Sequence, residues 1–387
     1  MRTKLSSNPY SGVSWFTVHN VRANLHTHTT NSDGAAHPHE AIDNYKTRGH
    51  GALSITDHNR ISYNWQFATS PLWDVRRQGA WEDRDPVVLG MIDVVGNEVN
   101  GQHHMNLFWK KDYVDRPDVP EEESWQHKVT PALELTHQDE GTPRACIYFA
   151  HPGRYWKVDQ AYQPEDEFSP QWYKTWFETY PMDTLMGLEV FNDDNRYPND
   201  RILWDLLLAD LMPSRPLWAF GADDYHGSGL YRTHWSCTNH FLVNPMSHQQ
   251  LRDSMVGGWF TASYTSSGST IAPQLLRVFI NEKDKVITLE HEAAYARWIS
   301  GIEIVDGIPE SRIIHQGNSF SYKGFDEPYV RAELVNSETN ITILQPFGFE
   351  QTPGEEYWDE EPSEITQTTR SLEARPEWKV TPRLVPM

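Results

Sequence analysis

The stretch NLHTHTTNSDG, residues 24–34, decides how this chain is read. Val21 to His28 alternates at the period of a strand, so His26 and His28 project to the same side, close enough to share one cation. Ser32-Asp33-Gly34 is turn chemistry, with a carboxylate carried at the bend. Beyond the turn, His39 to Arg48 has a helix-compatible composition closed by Gly49, and Ala52 to Thr56 is a short apolar strand. Strand, turn, helix, strand is the opening of a mainly parallel sheet or barrel.

The same arrangement recurs along the chain. Asp57-His58 follows ALSIT, Glu98 follows VVLGMIDVVGN, His104 begins the strand MNLFW, and His151 follows CIYFA. Asp224 and His226 follow LWAF in GADDYH. Parallel strands end on one side of a sheet, so residues that follow them converge across more than a hundred positions. A single His-x-His is ordinary strand decoration; an acid or imidazole after so many apolar strands is not. Of 18 histidines, His26, His28, His58, His104, His151 and His226 fall at strand borders, joined by Asp33, Glu98 and Asp224. This set is too large for one tetrahedral ion and suits two or three divalent cations around a bridging carboxylate. Imidazole and carboxylate favour zinc, manganese or iron. His37, His39, His50, His127 and His137 lack the strand context and are expected to face solvent or make local hydrogen bonds. His103 competes with His104 for the inward position.

In this order, HTHTTNSDG, ITDHN, GNEVN with HHMNLFW, FAHPGR and GADDYH resemble the polymerase-and-histidinol-phosphatase (PHP) phosphoesterases. The resemblance covers about residues 22 to 270, with WFTASYTSSG similar to the closing segment of such a domain. It implies an α/β fold built as a distorted seven-stranded (β/α) barrel, a two- or three-metal site, and hydrolysis of phosphate esters. It further implies that His26, His28 and Asp224 hold one metal, that Glu98 bridges to a second held by His104 and His151, and that Asp33, His58 and His226 take a third. Asp57 is expected to orient a neighbouring ligand.

The expected chemistry is attack of a metal-activated hydroxide on a phosphomonoester or phosphodiester, with Glu98 in the catalytic centre and Arg154 as a phosphate clamp, because a guanidinium grips two oxygens at once. Glu189, in GLEVFND, either contacts substrate or pairs with a neighbouring basic group. Asp223 is expected to be structural. Two other classes compete. Amidohydrolases also open with His-x-His on a barrel strand, although the SDG turn, the TDH motif and the DxH ending fit them poorly. A non-catalytic metal-stabilised binding scaffold would show gaps in the ligand set, and there are none.

The bulk numbers bound the rest. The chain has 387 residues with 33 Lys plus Arg against 54 Asp plus Glu, a formal charge of −21. That argues against an anionic membrane or a nucleic-acid surface, leaving a nucleotide or oligonucleotide only as substrate beside small phosphoesters. Two cysteines without CxxC spacing, no apolar leader and no run of about 18 apolar residues point to a cytoplasmic protein. The chain is expected to divide into an N-terminal extension (1–21), the barrel (22–270), a small antiparallel β unit (271–350) and an acidic tail (351–387). Residues 59 to 85, rich in Trp, are expected to form a long loop.

Overall fold

The computed structural model describes residues 2–59, 61, 65, 82–101, 103–110, 143–227, 235–266 and 271–352. Most of the Trp-rich stretch, the tail beyond 352, His127 and His137 lie outside them.

The fold is mixed α/β with one large sheet and few helices. After β1 (Arg2–Ser7), the chain forms β2 (His19–Asn24), α1 (Pro38–Thr47), β3 (Ala52–Ile55), α2 (Pro86–Leu89) and β4 (Ile92–Val99). Strands β2, β3 and β4 pair in parallel. The short β5 (Met105–Phe108) runs antiparallel between β4 and β6 (Cys146–Phe149). Then α3 (Pro170–Thr179), β7 (Leu185–Asn192), α4 (Asp200–Leu211) and β8 (Trp218–Ala222) restore the parallel alternation. Strands β3 to β8 are buried along their length, which parallel strands covered on both faces require, and β2 is buried toward its C-terminal end. Inside them Val21, Phe108, Tyr148, Phe220, Phe241 and Phe260 pack together.

Two expectations from the sequence shift here. The apolar run Val87 to Val95 is not a single strand: Asp85 accepts from Val87 N and Val88 N, and Gly90 turns left-handed at φ 60°, so Pro86–Leu89 forms a helical turn first. Glu98 consequently lies within β4 rather than after it.

The expected closed seven-stranded barrel is also corrected, because the sheet is open. From β8 the hydrogen-bonded path runs back through β7, β6, β5, β4, β3 and β2, and onward to β9 (Cys237–Val243) and β10 (Phe260–Thr265). Among the described residues β8 has no ladder partner on its outer edge. Amide side chains occupy that edge instead. Gln345 accepts from Ala219 N and donates to Ala219 O, each at 2.9 Å, and Asn239 does the same for Gly221 at 2.9 and 2.7 Å. Asn24 Oδ1 accepts from Asp223 N at 2.9 Å. A carboxamide carries the same donor and acceptor as a peptide, so it ends a strand edge without a strand.

Helix α5 (His248–Gly257) connects β9 to β10. The region after 270 supplies β11 (Leu275–Asn281), β12 (Val286–His291), β13 (Tyr295–Val305), β14 (Ile308–Gln316), β15 (Ser319–Ser321), β16 (Tyr329–Ser337), β17 (Asn340–Leu344) and β18 (Phe347–Thr352). It is antiparallel, as the short β-type runs suggest; β17 pairs with β10, so β13, β14, β16, β17 and β18 extend the same 15-stranded sheet, while β11, β12 and β15 form a separate three-stranded sheet. Strand β1 pairs with β18. Between the regions, Arg331 on β16 is fully buried and grips Asp205 of α4 with two bonds of 2.7 and 2.8 Å and Glu333 with one of 2.6 Å.

Candidate metal centre

Beyond β2 the backbone leaves the ladder and makes one parallel bridge, Thr27 to Tyr225, with His28 N donating to the Tyr225 carbonyl at 2.7 Å. Thr27 stands between His26 and His28, and Tyr225 between Asp224 and His226, so a single bridge brings four candidate ligands together. The turn at Ser32-Asp33-Gly34 folds back over them: Gly34 N donates to Thr29 O at 3.0 Å and Ala35 N to His226 O at 2.8 Å. A Cβ on Gly34 would lie 2.5 Å from the His28 carbonyl carbon, so the close approach needs glycine. Asp57 pins the turn by accepting from Thr29 N, Thr29 Oγ1 and Ser32 Oγ, each at 2.7 Å. The other ligands arrive by strand pairing. His58 bridges to Glu98, and because β5 is antiparallel, His104 at its start stands beside the end of β4.

All nine predicted donors meet, falling into four overlapping groups whose ligand atoms lie within 4.8 Å of one another: His26, His28 and Glu98; His26, His151 and Asp224; His28, Asp33 and His226; His58, Glu98 and His104. Glu98 is central. Its Oε1 is 3.3 Å from His26 Nε2, 2.9 Å from His104 Nδ1 and 3.0 Å from His151 Nε2. Its Oε2 is 3.2 Å from His28 Nε2 and 2.8 Å from His58 Nδ1. Asp224 Oδ1 is 3.2 Å from His26 Nε2 and 3.3 Å from His28 Nε2. The grouping departs from the partition implied by the resemblance in two places: His151 sits with His26 and Asp224, and His58 with Glu98 and His104.

The donor chemistry fits divalent cations. His26 Nε2 and His28 Nε2 face each other at 3.0 Å. His58 Nδ1 and Glu98 Oε2 are buried and close, yet lack the angle of a hydrogen bond, and neither makes a hydrogen bond elsewhere. Imidazole nitrogens and carboxylate oxygens that converge at this spacing are the arrangement of ligands around a common cation. The electrostatics agree. Burial opposes charging of His58, but Glu98 and Asp33 outweigh it and lift the imidazole to about 10. Burial likewise opposes the His226 charge, while Asp33 and Asp224 raise it to about 9. Burial would raise Glu98 and Asp224, but the surrounding imidazoles hold both well below the usual carboxylate range. Positive charge is demanded here, whether proton or metal.

Glu189, on β7, completes the support. Its Oε1 accepts from His26 Nδ1 at 2.9 Å and Asn106 Nδ2 at 3.2 Å, while Oε2 accepts from His151 N and Asn192 Nδ2, each at 2.9 Å. Of the two roles weighed for it, pairing with a basic group is the one the structure shows. It holds the His26 proton on Nδ1 and turns Nε2 toward the cluster. Asn106 had no sequence signal, being one polar residue in an apolar strand. His151 (φ 30°) and Asp224 (φ 49°) are both left-handed, a conformation that costs a non-glycine residue about 1–3 kcal/mol and gathers at functional sites.

Arg154 lies apart from the nine donors, on the turn Pro152–Arg154 after His151, exposed and 5.9 Å above the Tyr155 ring. Asp223 is structural, accepting from Cys237 N at 2.9 Å and Tyr45 Oη at 3.0 Å. His103 turns away from the cluster to Tyr173 Oη, at 2.7 Å, and leaves His104 as the ligand candidate. His50 corrects the expectation of a solvent-facing ring: it is 2% exposed and packs edge-on against Tyr45 at 4.8 Å.

No family model and no curated protein matches the chain. Solved structures do. A two-domain protein from Bacteroides vulgatus, described as containing a predicted PHP-like metal-dependent phosphoesterase, is similar at TM-score 0.44 and 14% identity over 90% of this chain and 98% of that one. An amidohydrolase from Chromobacterium violaceum, with bound sulfate and no metal, has TM-score 0.33 and 16% identity over 55% of this chain and 90% of its own. A protein from Bifidobacterium adolescentis described as a metal-dependent phosphoesterase has TM-score 0.31 and 17% identity over 54% and 88%. All three scores lie below 0.5, and the functional reading rests on the side chains of this chain.

Proposed function

We propose that the chain is a metal-dependent phosphoesterase acting on a small phosphomonoester or phosphodiester. The observation that carries the reading is Glu98, one buried carboxylate whose two oxygens face five imidazoles at 2.8 to 3.3 Å. A carboxylate so placed joins two neighbouring cation positions, and two or three divalent ions of the zinc, manganese or iron type suit the donors. When bound, such ions neutralise phosphoryl oxygens and lower the proton affinity of a water to about neutral pH.

The rest is the work of the chain. Glu98, His26, His28, His104, His151 and Asp224 are buried or nearly so and set the floor of the site. Asp33, His58 and His226 are the more open donors, with side chains 52%, 22% and 26% exposed, and form the mouth through which substrate enters. Glu189 keeps the His26 proton away from the cluster, and Asp57 holds the turn that carries Asp33. Arg154, exposed on the turn that follows His151, is the proposed clamp for a non-reacting phosphoryl oxygen. No helix among the described residues is long and apolar enough to cross a membrane. Cys146 and Cys237 are free and buried, which supports a reducing compartment.

The test is elemental analysis of purified protein followed by a panel of phosphomonoesters, phosphodiesters and amides, with wild type and Glu98→Gln. Phosphate release that falls by about a hundredfold or more in the variant, together with lost metal, is expected. Undiminished turnover by Glu98→Gln, or cleavage of amides alone, overturns the proposal.

A further inference from the structure

A cavity of about 320 Å³ lies between the first turn of α4 and the hairpin formed by β13 and β14. Strand alternation sets its lining. Ser311 Oγ donates to Asp205 Oδ2 at 2.6 Å, so the face of β14 that carries Pro309, Ser311 and Ile313 is turned toward α4. Register puts Ile299 of β13 opposite Ile313, and Arg297 opposite Glu333 of β16. With Ile202 of α4, the residues Ile299, Pro309 and Ile313 make an aliphatic wall, and Ile313 is 41% exposed, so that wall is open to solvent. Glu310, between Pro309 and Ser311, turns its side chain to the opposite face of β14. None of the nine metal-centre donors lines the cavity.

The carboxylates that face this space are already engaged. Glu333 is shared by Arg331 and Arg297, at 2.6 and 2.7 Å, and Glu338 takes two bonds from Arg297, at 2.9 and 3.1 Å. Arg201, in the first turn of α4, lines the cavity and has no ion pair among the described residues. The charges that act on it most strongly are Glu333 and Arg331, which places its guanidinium on the side of the helix that meets β16. Its one side-chain hydrogen bond among the described residues runs from Nη1 to Asn195 Oδ1 at 2.8 Å. The residue is partly exposed, and neither Nε nor Nη2 is closed to solvent. Those two nitrogens form one edge of the guanidinium, a pair of parallel donors that solvent reaches and no protein group uses.

A free two-donor edge on a cation, beside an open aliphatic wall, specifies its ligand: a planar anion with a hydrocarbon body. We infer that this cavity is a separate, metal-independent binding site for a small aliphatic carboxylate. Its two oxygens accept from Arg201 Nε and Nη2, and its body covers Ile202, Ile299, Pro309 and Ile313. A carboxamide of the same shape brings one oxygen and an NH2 group that opposes a donor, and acetate brings the two oxygens without the body.

The experiment is a calorimetric titration of the full-length protein with 4-methylpentanoate, 4-methylpentanamide and acetate, before and after treatment with a chelator. 4-Methylpentanoate is expected to bind about tenfold or more tightly than either analogue, and to do so equally in both preparations. Arg201→Gln weakens the carboxylate by about tenfold or more and leaves the amide unchanged, at wild-type metal content. Ile313→Asp, at an open position that the fold tolerates, weakens the carboxylate as strongly and serves if Arg201→Gln does not fold. Carboxylate binding that disappears with the chelator belongs to the metal centre and overturns the inference. So does equal binding of acid and amide, equal binding of acetate, an Ile313→Asp variant that binds as wild type does, or no binding at all.

Discussion

Replacing Glu189 by Gln keeps shape and volume and changes one oxygen into an NH2 group. In the native site both carboxylate oxygens are acceptors only, one facing His26 Nδ1 and Asn106 Nδ2, the other facing His151 N and Asn192 Nδ2. The new NH2 must point at one pair or the other. Directed at His151, it meets a backbone N–H that no rotation can turn away. Directed at His26, it drives the ring proton from Nδ1 to Nε2, the atom 3.2 Å from Asp224 and 3.3 Å from Glu98, and so blocks that nitrogen as a ligand. Either way at least one buried donor is left opposed, and the site loses a buried charge-assisted bond; at about 1–3 kcal/mol for each, the variant is destabilised by about 2–6 kcal/mol. For a chain of this size that lowers Tm by roughly 3–7 °C. Loss of such a supporting carboxylate weakens metal binding by about 10- to 100-fold. Chelator competition gives the affinity and thermal unfolding in excess chelator gives the stability. A variant that melts within a degree of wild type and holds metal equally well would show that Glu189 neither sets the tautomer nor braces the ligands.

Other outcomes follow from the same structure. Arg331→Met leaves Asp205 buried without its cation, although Glu333 keeps Arg297 at 2.7 Å, and lowers unfolding stability by about 3–5 kcal/mol in urea titration, whereas Arg331→Met with Asp205→Leu recovers part of that loss. His240 has a folded pKa of about 3 against about 6.5 unfolded, so below pH 6.5 the unfolded chain binds the extra proton and stability falls with pH. This group accounts for about 2 kcal/mol lost by pH 5, and His240→Leu flattens the stability curve between pH 6.5 and 3 by one proton. Asn239→Leu strips both partners from Gly221 on the β8 edge, costs about 2–5 kcal/mol, and raises the hydrogen-exchange rate of the Gly221 amide.

Local patterning carried much of this molecule. Helix α1 ends before Gly49, as the sequence suggests, and the φ of 78° at Gly49 is the left-handed turn that a helix-ending glycine supplies. His26 and His28 face the same cluster because the period of two survives past the end of β2. The convergence of nine donors was legible because strands of one sheet finish on one side, and even His104, which precedes its strand instead of following it, obeys the rule once β5 is seen to run backwards. The pairing of ligands into groups was not legible, since sequence order says which side of a sheet a residue reaches and nothing about which neighbour it meets there.

What the chain determines by itself is therefore the chemistry: which side chains can hold cations, and that they gather at one end of a sheet. Tertiary structure alone decides the edge of β8, where Asn24, Asn239 and Gln345 stand in for a strand, the pairing of β1 with β18, and the seating of Arg331 on Asp205. Hydrophobic period reports burial against water and needs only near neighbours in sequence. A carboxamide that mimics a peptide, or an arginine buried on a distant aspartate, has no period to report, because its partner lies outside the local pattern, 18 residues away for Asn239 and more than a hundred for Asn24, Gln345 and Arg331, and is chosen by geometry.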